Sequence, residues 1–238
     1  MTEWTQLRAL SLLVGAVAFS CVARGQTVDV RAQVAIVQTH AHKALAHDHS
    51  SEVVLWLNPV SPPPDFKPLD PGRYRMAQKD KSFQPHLLVV PLGSTVAFPN
   101  LDPFFHNVFS QFDGKRFDLG LYEAGTTRDV RFDHLGVSYI FCNIHPEMSA
   151  VIITVSNPWY AISSDGTILL HAVPAGTYEI HVWASSADAR QLDALTRKVR
   201  IGPDSDDLGT ISIQTDGGAA MHKNKFGNNY PPDSNPIY

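Results

Sequence analysis

The sequence predicts an all-β protein. Apolar and polar residues alternate over residues 28–36, which is the period-two pattern of a strand with one buried face. Turn residues recur about every eight to twelve positions, as in β-sandwiches and barrels, and the chain has 17 prolines and 15 glycines. Only residues 184–196 have the composition of a short helix. Because 44% of the 238 residues are hydrophobic, a buried core is expected and wholesale disorder is excluded.

The N-terminus has the pattern of a cleaved export signal. An apolar run over residues 9–22 follows Arg8, and small residues stand at Ala23 and Gly25, after which we expect cleavage. The run is shorter than the roughly 20 residues of a membrane span, so no stable membrane span is predicted, although an uncleaved anchor is the alternative. A periplasmic or secreted protein would then keep one cysteine, Cys142, in an oxidising compartment.

Strands are predicted in chain order on both sides of a proline-rich connector. The continuous apolar run 53–57 predicts a central strand, and residues 61–65 and 70–72 predict the connector. Asp165-Gly166 predicts a hairpin turn between two strands. Residues from 215 onward are rich in Gly, Asn and Pro and predict disorder. The remaining predicted strands are 87–90, 95–98, 106–109, 129–132, 137–142, 151–155, 161–163, 167–170, 178–183, 198–201 and 210–213.

The residues that carry chemistry are Cys142, His145 and Met148, with His106 upstream on a different predicted strand. A thiolate, two imidazoles and a weak thioether form the ligand set of a mononuclear type 1 copper site. Steps of three residues in a tight loop return the three side chains to one side of the chain. Zinc is the competing metal, but the thioether favours copper. Taken singly, each residue is also compatible with a structural role.

Residues 83–155 resemble a cupredoxin of the plastocyanin and amicyanin type. The resemblance is carried by Phe83-Gln84-Pro85, residues 93–100, His106-Asn107-Val108 and the Cys-x-x-His-x-x-Met loop. The loop beginning Cys142-Asn143-Ile144-His145 is most similar to that of periplasmic methylamine utilization proteins, although Pro146-Glu147 departs from that group and puts the partner surface in doubt.

The resemblance implies a Greek-key cupredoxin sandwich inserted in or beside a second β-sandwich. Residues 165–183 are similar to a carboxypeptidase regulatory-like, or transthyretin-like, module. The expected organisation is a signal peptide (1–25), first strands of the second sandwich (28–60), a cupredoxin domain (72–157), the remaining strands of the second sandwich (158–214) and a disordered tail (215–238).

The resemblance also implies roles around the copper ion. The backbone amide of Asn107 would donate to the Cys142 sulfur and stabilise the thiolate. The edge of the His145 ring would reach the surface as the electron port. An apolar patch for brief docking of a redox partner would surround it, formed by Pro103, Phe104, Phe105 and Pro146, although Phe104 and Phe105 are equally compatible with core packing.

A second histidine cluster lies between two predicted strands, at His40, His42, His47 and His49. These residues could form an auxiliary metal site, although a solvated loop is the more ordinary interpretation. The net charge of -4 disfavours nucleic-acid binding. We find no nucleophile-elbow, phosphate-loop or dinucleotide motif and therefore expect no enzyme.

Three functions remain compatible with these observations. The leading hypothesis is an exported carrier of single electrons with one type 1 copper ion, a redox protein as partner and no obligate oligomer. The alternatives are copper delivery or storage without electron transfer, and a β-sandwich module that binds a carbohydrate or a protein.

Overall fold

The computed structural model describes residues 26–38, 52–63, 66–111, 114–215 and 222–230. The all-β prediction is confirmed, since these ranges contain seventeen strands and one helix of seven residues, α1 (Ala189–Leu195). The predicted signal peptide, residues 1–25, lies outside the described residues. The strands are β1 (Thr27–Gln38), β2 (Val53–Pro59), β3 (Arg73–Arg75), β4 (Ala77–Lys79), β5 (Ser82–Gln84), β6 (Leu87–Pro91), β7 (Thr95–Pro99), β8 (His106–Ser110), β9 (Phe117–Tyr122), β10 (Thr127–Arg131), β11 (Gly136–Phe141), β12 (Ser149–Val155), β13 (Tyr160–Ser163), β14 (Thr167–Pro174), β15 (Gly176–Ala184), β16 (Arg197–Ile201) and β17 (Asp207–Thr215).

The strands at the two ends of the chain form one sandwich, here called the outer sandwich. Its sheets have the orders β14-β1-β17 and β13-β2-β15-β16. The alternating face of β1 supplies Val30, Ala32 and Val34 to the core between these sheets. Both β1–β14 and β2–β15 are antiparallel, whereas β1 and β17 run parallel.

The strands in the middle of the chain form a second sandwich, here called the inner sandwich. A five-stranded sheet, β6-β12-β11-β8-β9, faces the three-stranded sheet β10-β7-β3. Its core includes Phe98, Val130, Ile140 and Ile152, drawn from both sheets. In chain order the inner sandwich is therefore inserted between β2 and β13 of the outer one.

The two sandwiches share a third apolar layer, which explains why some strands are apolar along their whole length. On β2, Leu55 and its alternate neighbours face the outer core, while Val54 and Trp56 face the shared layer. Val151 and Ile153 of β12 pack into the same layer from the inner sandwich. Both faces of β2 are covered, so the run 53–57 has no polar alternation.

The predicted hairpin at Asp165-Gly166 is wrong. The turn forms, with the Asp165 carboxylate accepting the Thr167 amide at 2.8 Å and Gly166 at φ +81°. However, β13 and β14 belong to different sheets and do not pair with each other. The Gly166 carbonyl instead accepts the Val34 amide of β1 at 2.8 Å, so the turn carries the chain across the outer sandwich.

Two further segments differ from the sequence-based expectation. The sequence predicted no strand at β9. Its pattern is mixed, with Gly120 inside it and Leu121 exposed, because it lies at the edge of its sheet. In the tail, the expectation of disorder does not hold for residues 222–230, which pack against the inner sandwich through hydrogen bonds and stacked rings. Composition alone missed these contacts because they are polar and aromatic and join residues far apart in the chain.

In the part of the chain that is described, no helix has the length and hydropathy of a membrane-spanning segment.

Candidate metal centre

The four predicted ligands lie at one end of the five-stranded sheet. His106 is the first residue of β8, and Cys142 directly follows β11, the neighbouring strand. His145 and Met148 lie in the loop between β11 and β12. All four residues are at most 2% exposed. On β11, Ser138 and Ile140 share the buried face that Cys142 continues, as the parity of the strand predicted.

Three of these side chains form one cluster of donor atoms. The Cys142 Sγ lies 3.8 Å from the His106 Nδ1 and 3.6 Å from the His145 Nδ1, and all three atoms lie within 4.8 Å of one another. An ion at ordinary metal–thiolate and metal–imidazole bond lengths holds its sulfur and nitrogen ligands about 3.5 to 3.8 Å apart. The donor set therefore fits a single metal ion.

Backbone hydrogen bonds close the loop that carries His145 and Met148. The Cys142 amide donates to the Met148 carbonyl at 3.2 Å, and the Met148 amide donates to the His145 carbonyl at 3.1 Å. Met148 is 0% exposed and packs in the same core as Cys142. The loop therefore fixes the three residues relative to one another through its own backbone.

The Cys142 thiol is buried and forms no disulfide. Burial raises the pKa of Cys142, while the backbone amides of Asn107, Ile144 and His145 hydrogen-bond to the sulfur and act in the opposite direction. The Asn107 amide thus occupies the place that the resemblance implied for it. Burial is the stronger effect, so the thiol holds its proton until a cation takes that place.

Both imidazoles are neutral at physiological pH. Burial, with a smaller contribution from the nearby His106, lowers the pKa of His145 to about 4. Burial also lowers the pKa of His106, although its partner Asp102 opposes this effect. Neutral rings can offer a lone pair to a metal, whereas protonated rings cannot.

Asp102 is a residue of the candidate site that the sequence did not single out. Its carboxylate accepts a hydrogen bond from the His106 Nε2 at 2.7 Å and is 5% exposed. This bond places the ring hydrogen on Nε2, which leaves Nδ1 free to face Cys142. The signal in the sequence is a carboxylate four residues before a candidate ligand, a spacing too common to single out.

The Asp102 carboxylate is itself held by the backbone. The amides of Asp80 and Lys81 donate to it at 2.7 and 3.0 Å. Burial raises the pKa of Asp102, but these amides and His106 together outweigh burial and hold the pKa below its usual range. Asp102 therefore stays ionised and keeps the tautomer of His106 fixed.

The expectation that the His145 ring reaches the surface is wrong. His145 is only 2% exposed. The Phe104 ring packs against both imidazoles, with centroid distances of 5.1 Å to His106 and 5.8 Å to His145. Aromatic packing therefore separates the histidines from solvent, which the sequence could not indicate.

The predicted apolar patch is exposed only in part. Phe105 is 44% exposed and Pro103 is exposed, while Phe104 and Pro146 are half-buried. Phe104 is the member that connects the patch to the buried ligands. The Lys81 ammonium lies 5.7 Å from the centre of the Phe104 ring, so the patch has a cation at its rim.

The predicted auxiliary cluster at His40, His42, His47 and His49 lies outside the described residues. Within the described ranges, His106, Cys142 and His145 form the one group of three or more His, Cys, Asp or Glu side chains whose ligand atoms are close enough to share a metal ion.

Comparison with known proteins finds likeness in structure over part of the chain. No family model and no curated protein matches it. A purple cupredoxin from Nitrosopumilus maritimus is 22% identical over 34% of this chain and 99% of its own, with a TM-score of 0.32. A mutant of amicyanin in the Cu(I) form is 16% identical over 35% of this chain and 82% of its own, with a TM-score of 0.33.

A third similar structure is a copper-containing nitrite reductase (NirK) from Thermus scotoductus SA-01. It is 25% identical over 42% of this chain, with a TM-score of 0.34, and this chain spans 25% of its length. Each of these three likenesses covers less than half of the chain, so the assignment of the metal centre depends on its own donor atoms.

Proposed function

We propose that this protein binds one copper ion at a type 1 site and carries single electrons. The observation that carries the proposal is a buried thiol that forms no disulfide and is flanked by two neutral imidazoles, with Nδ1 atoms 3.6 and 3.8 Å from the sulfur. His106, Cys142 and His145 would hold the ion, with Met148 as the weak axial ligand.

The chemistry of the donor set favours copper over zinc. A thiolate and a thioether are soft ligands, and a trigonal arrangement of two histidines and one cysteine with a weak methionine is typical of copper electron-transfer sites. A structural zinc site more often has four strong tetrahedral ligands. The buried sulfur of Met148 is a poor substitute for one of them.

The surroundings of the donors suit electron transfer. Copper would supply the one-electron couple between Cu(II) and Cu(I). The protein contributes rigidity, because Asp102 fixes the His106 ring and the loop from Cys142 to Met148 is closed by its own backbone. Ligands that hold their positions reduce the rearrangement that accompanies a change of charge.

We propose a carrier rather than an enzyme because the candidate ligands are shielded from solvent. Catalytic metal sites keep an open position for substrate or water. Here the candidate ligands are at most 2% exposed, and Phe104 packs over both histidines. Electrons would enter and leave through Phe104 and the patch that contains Phe105, during brief docking of a redox protein.

Two finer assignments complete the proposal. The apolar segment before Gly25 supports a periplasmic or secreted location. The outer sandwich would be a carboxypeptidase regulatory-like module, a likeness that depends on residues 165–183. In this arrangement the outer sandwich supports the copper-binding sandwich through the apolar layer the two share.

The decisive experiment is a visible absorption spectrum of residues 26–238 with one equivalent of Cu(II). We expect an intense band at roughly 600 nm from Cu–thiolate bonding, and we expect Cys142→Ser to abolish it. Two buried methionines of the same core provide a matched pair. Met148→Leu should change the spectrum, whereas Met76→Leu should leave it unchanged.

Other outcomes would contradict parts of the proposal. A protein that stays colourless and prefers zinc would overturn the copper site. A blue protein that passes copper to an acceptor but exchanges no electrons would indicate copper delivery instead.

A further inference from the structure

Residues 222–230 lie across the inner sandwich beside the metal centre. Two of their contacts reach the chain where the ligand loop begins. The Tyr230 hydroxyl donates to the Cys142 carbonyl at 2.7 Å, and the Lys225 amide donates to the Asn143 side-chain oxygen at 2.9 Å. The His222 ring stacks on Phe141, with 4.3 Å between the centroids. Three consecutive residues, 141–143, are thus contacted by one segment.

Through Asp118 of β9, the same segment is also linked to β8, the strand that carries His106. The Lys225 ammonium pairs with the Asp118 carboxylate at 2.8 Å. Asp118 in turn accepts the side-chain amide of Asn107 at 2.8 Å. Since Asn107 follows His106 and its backbone amide bonds to the Cys142 sulfur, the segment is linked to both elements that supply ligands.

The segment also holds its own shape. The Asn224 side-chain oxygen accepts the amides of Phe226 and Asn228, both at 3.0 Å, and the Gly227 amide donates to the Asn224 carbonyl at 2.9 Å. Gly227 has φ +79°, a conformation that glycine adopts without strain. Tyr230 packs edge-on against His222, with 5.3 Å between the centroids. The segment therefore acts as one folded unit.

We propose that residues 222–230 form a strap that holds the ligand loop in its metal-binding conformation, with Tyr230 as the positioning residue for the Cys142 peptide. The proposal depends on the proposed function, because it concerns the same metal site. The strap restrains the Cys142 peptide from outside, while Asn107 and the loop backbone restrain it from inside.

The strap is tested first without metal, through the reactivity of the Cys142 thiol. In residues 26–238 this is the one cysteine, and it is 0% exposed, so a reagent such as DTNB reacts only when the loop opens. A chain ending at Thr215 lacks the strap, and a chain ending at Tyr230 keeps it. We expect the first to react on the order of tenfold faster or more, and the second to react like the longest chain.

The single-residue variant Tyr230→Phe removes one hydroxyl and keeps the ring. Loss of one hydrogen bond should speed the thiol reaction about fivefold. In the copper form, the same variant should speed copper release to EDTA and shift the Cu–thiolate band, which simple loss of stability would not do. Unfolding midpoints of all chains identify any variant that opens by global unfolding.

The results separate the strap from the proposed function. Equal thiol reactivity for the chains ending at Thr215 and Tyr230 would overturn the strap, whether or not copper binds. Faster reaction in both shortened chains would assign the effect to residues 231–238 and would overturn it as well. Absence of the absorption band in the longest chain with Cu(II) would contradict the proposed function but not the strap's effect on the thiol.

Discussion

The two sandwiches have the same architecture but different interiors. Each has two facing sheets around an apolar core. Among the described residues, however, ten of the twelve buried polar side chains lie between Gln78 and Thr154, within the inner sandwich. The other two, Asn157 and Ser163, lie just before β13 and within it, in the outer sandwich. The candidate ligands and most of the buried polar side chains that the structure describes therefore lie in one sandwich.

Most buried polar side chains of the inner sandwich have hydrogen-bond partners, although among the described residues the hydroxyls of Ser110 and Thr154 have none. An unpaired buried polar group costs about 1–3 kcal/mol, so such groups are normally hydrogen-bonded. Asn100 illustrates this, since its side chain bonds to Phe104, Tyr122 and Asp102 and holds the loop before His106. Hydrogen bonds between buried polar groups thus position the residues around the candidate ligands, while the apolar layers stabilise the fold.

The largest expected effect is a loss of stability, and only in the inner core should it be accompanied by a change at the metal site. Leu57→Ala in the outer core and Ile140→Ala in the inner core each remove a side chain that is 0% exposed. Both should lower the free energy of unfolding by about 2–5 kcal/mol, measured by urea denaturation. Only Ile140→Ala should also change the copper absorption per folded molecule, because Ile140 packs in the core that contains Cys142.

A changed absorption spectrum in Leu57→Ala would contradict the expectation that only the inner core affects the metal site. It would show that the outer sandwich shapes the metal centre through the shared layer.

The second effect concerns the charge behind His106. Asp102→Asn keeps the shape but removes the carboxylate that orders the ring and accepts the amides of Asp80 and Lys81. We expect copper affinity to fall about 10- to 100-fold, measured by competition with a chelator. The reduction potential should rise, because a carboxylate near the ion stabilises Cu(II) more than Cu(I).

Asp129→Asn is the matched control, since Asp129 is exposed and pairs with Arg73 away from the ligands. An unchanged potential in Asp102→Asn would show that the carboxylate only supports the loop.

The third effect tests the surface through which we propose that electrons pass. Phe105→Glu places a charge in the apolar patch, and two copies that meet patch to patch would then repel each other. Electron self-exchange, measured by NMR line broadening in mixtures of reduced and oxidised protein, should slow about tenfold. Leu169→Glu changes an equally exposed residue of the outer sandwich and should leave the rate unchanged. Equal slowing in both variants would assign the effect to net charge.

The smallest effect is a pH dependence in the outer sandwich. His181 stacks on Trp56, with 5.1 Å between ring centroids. Burial lowers the pKa of His181, although Glu179 opposes this. As the pH falls, His181 takes up a proton in the unfolded chain before it does so in the folded protein. The contribution of neutral His181 to the free energy of unfolding is therefore present above about pH 6.5 and is lost as the pH falls.

Urea denaturation of the metal-free protein at pH 7.5 and 5.5 checks this expectation. His181→Phe should lose less stability on acidification than the parent protein. His171→Phe is the control, because the His171 side chain is 70% exposed. The same loss in the parent and in His181→Phe would contradict the role of burial at this position.

The sequence by itself determined the all-β class, most strand positions and the candidate ligands. Strands with one or two covered faces show in the local pattern of apolar residues, as in residues 28–36 and 53–57. The candidate ligands could be predicted from the sequence for a similar reason. Cys142, His145 and Met148 lie within seven residues, so their spacing already constrains their relative positions.

Only the tertiary structure decided which side chains surround the ligands. Asp102, Phe104, Lys225 and Tyr230 act through contacts that depend on which strands become neighbours, and Tyr230 is 88 residues from Cys142 in the chain. The prediction of a hairpin at Asp165-Gly166 was wrong for the same reason, because a turn sets the local direction of the chain but not the sheet that the next strand joins. Local patterns report burial and backbone conformation, whereas contacts between distant segments depend on the packing of the whole chain.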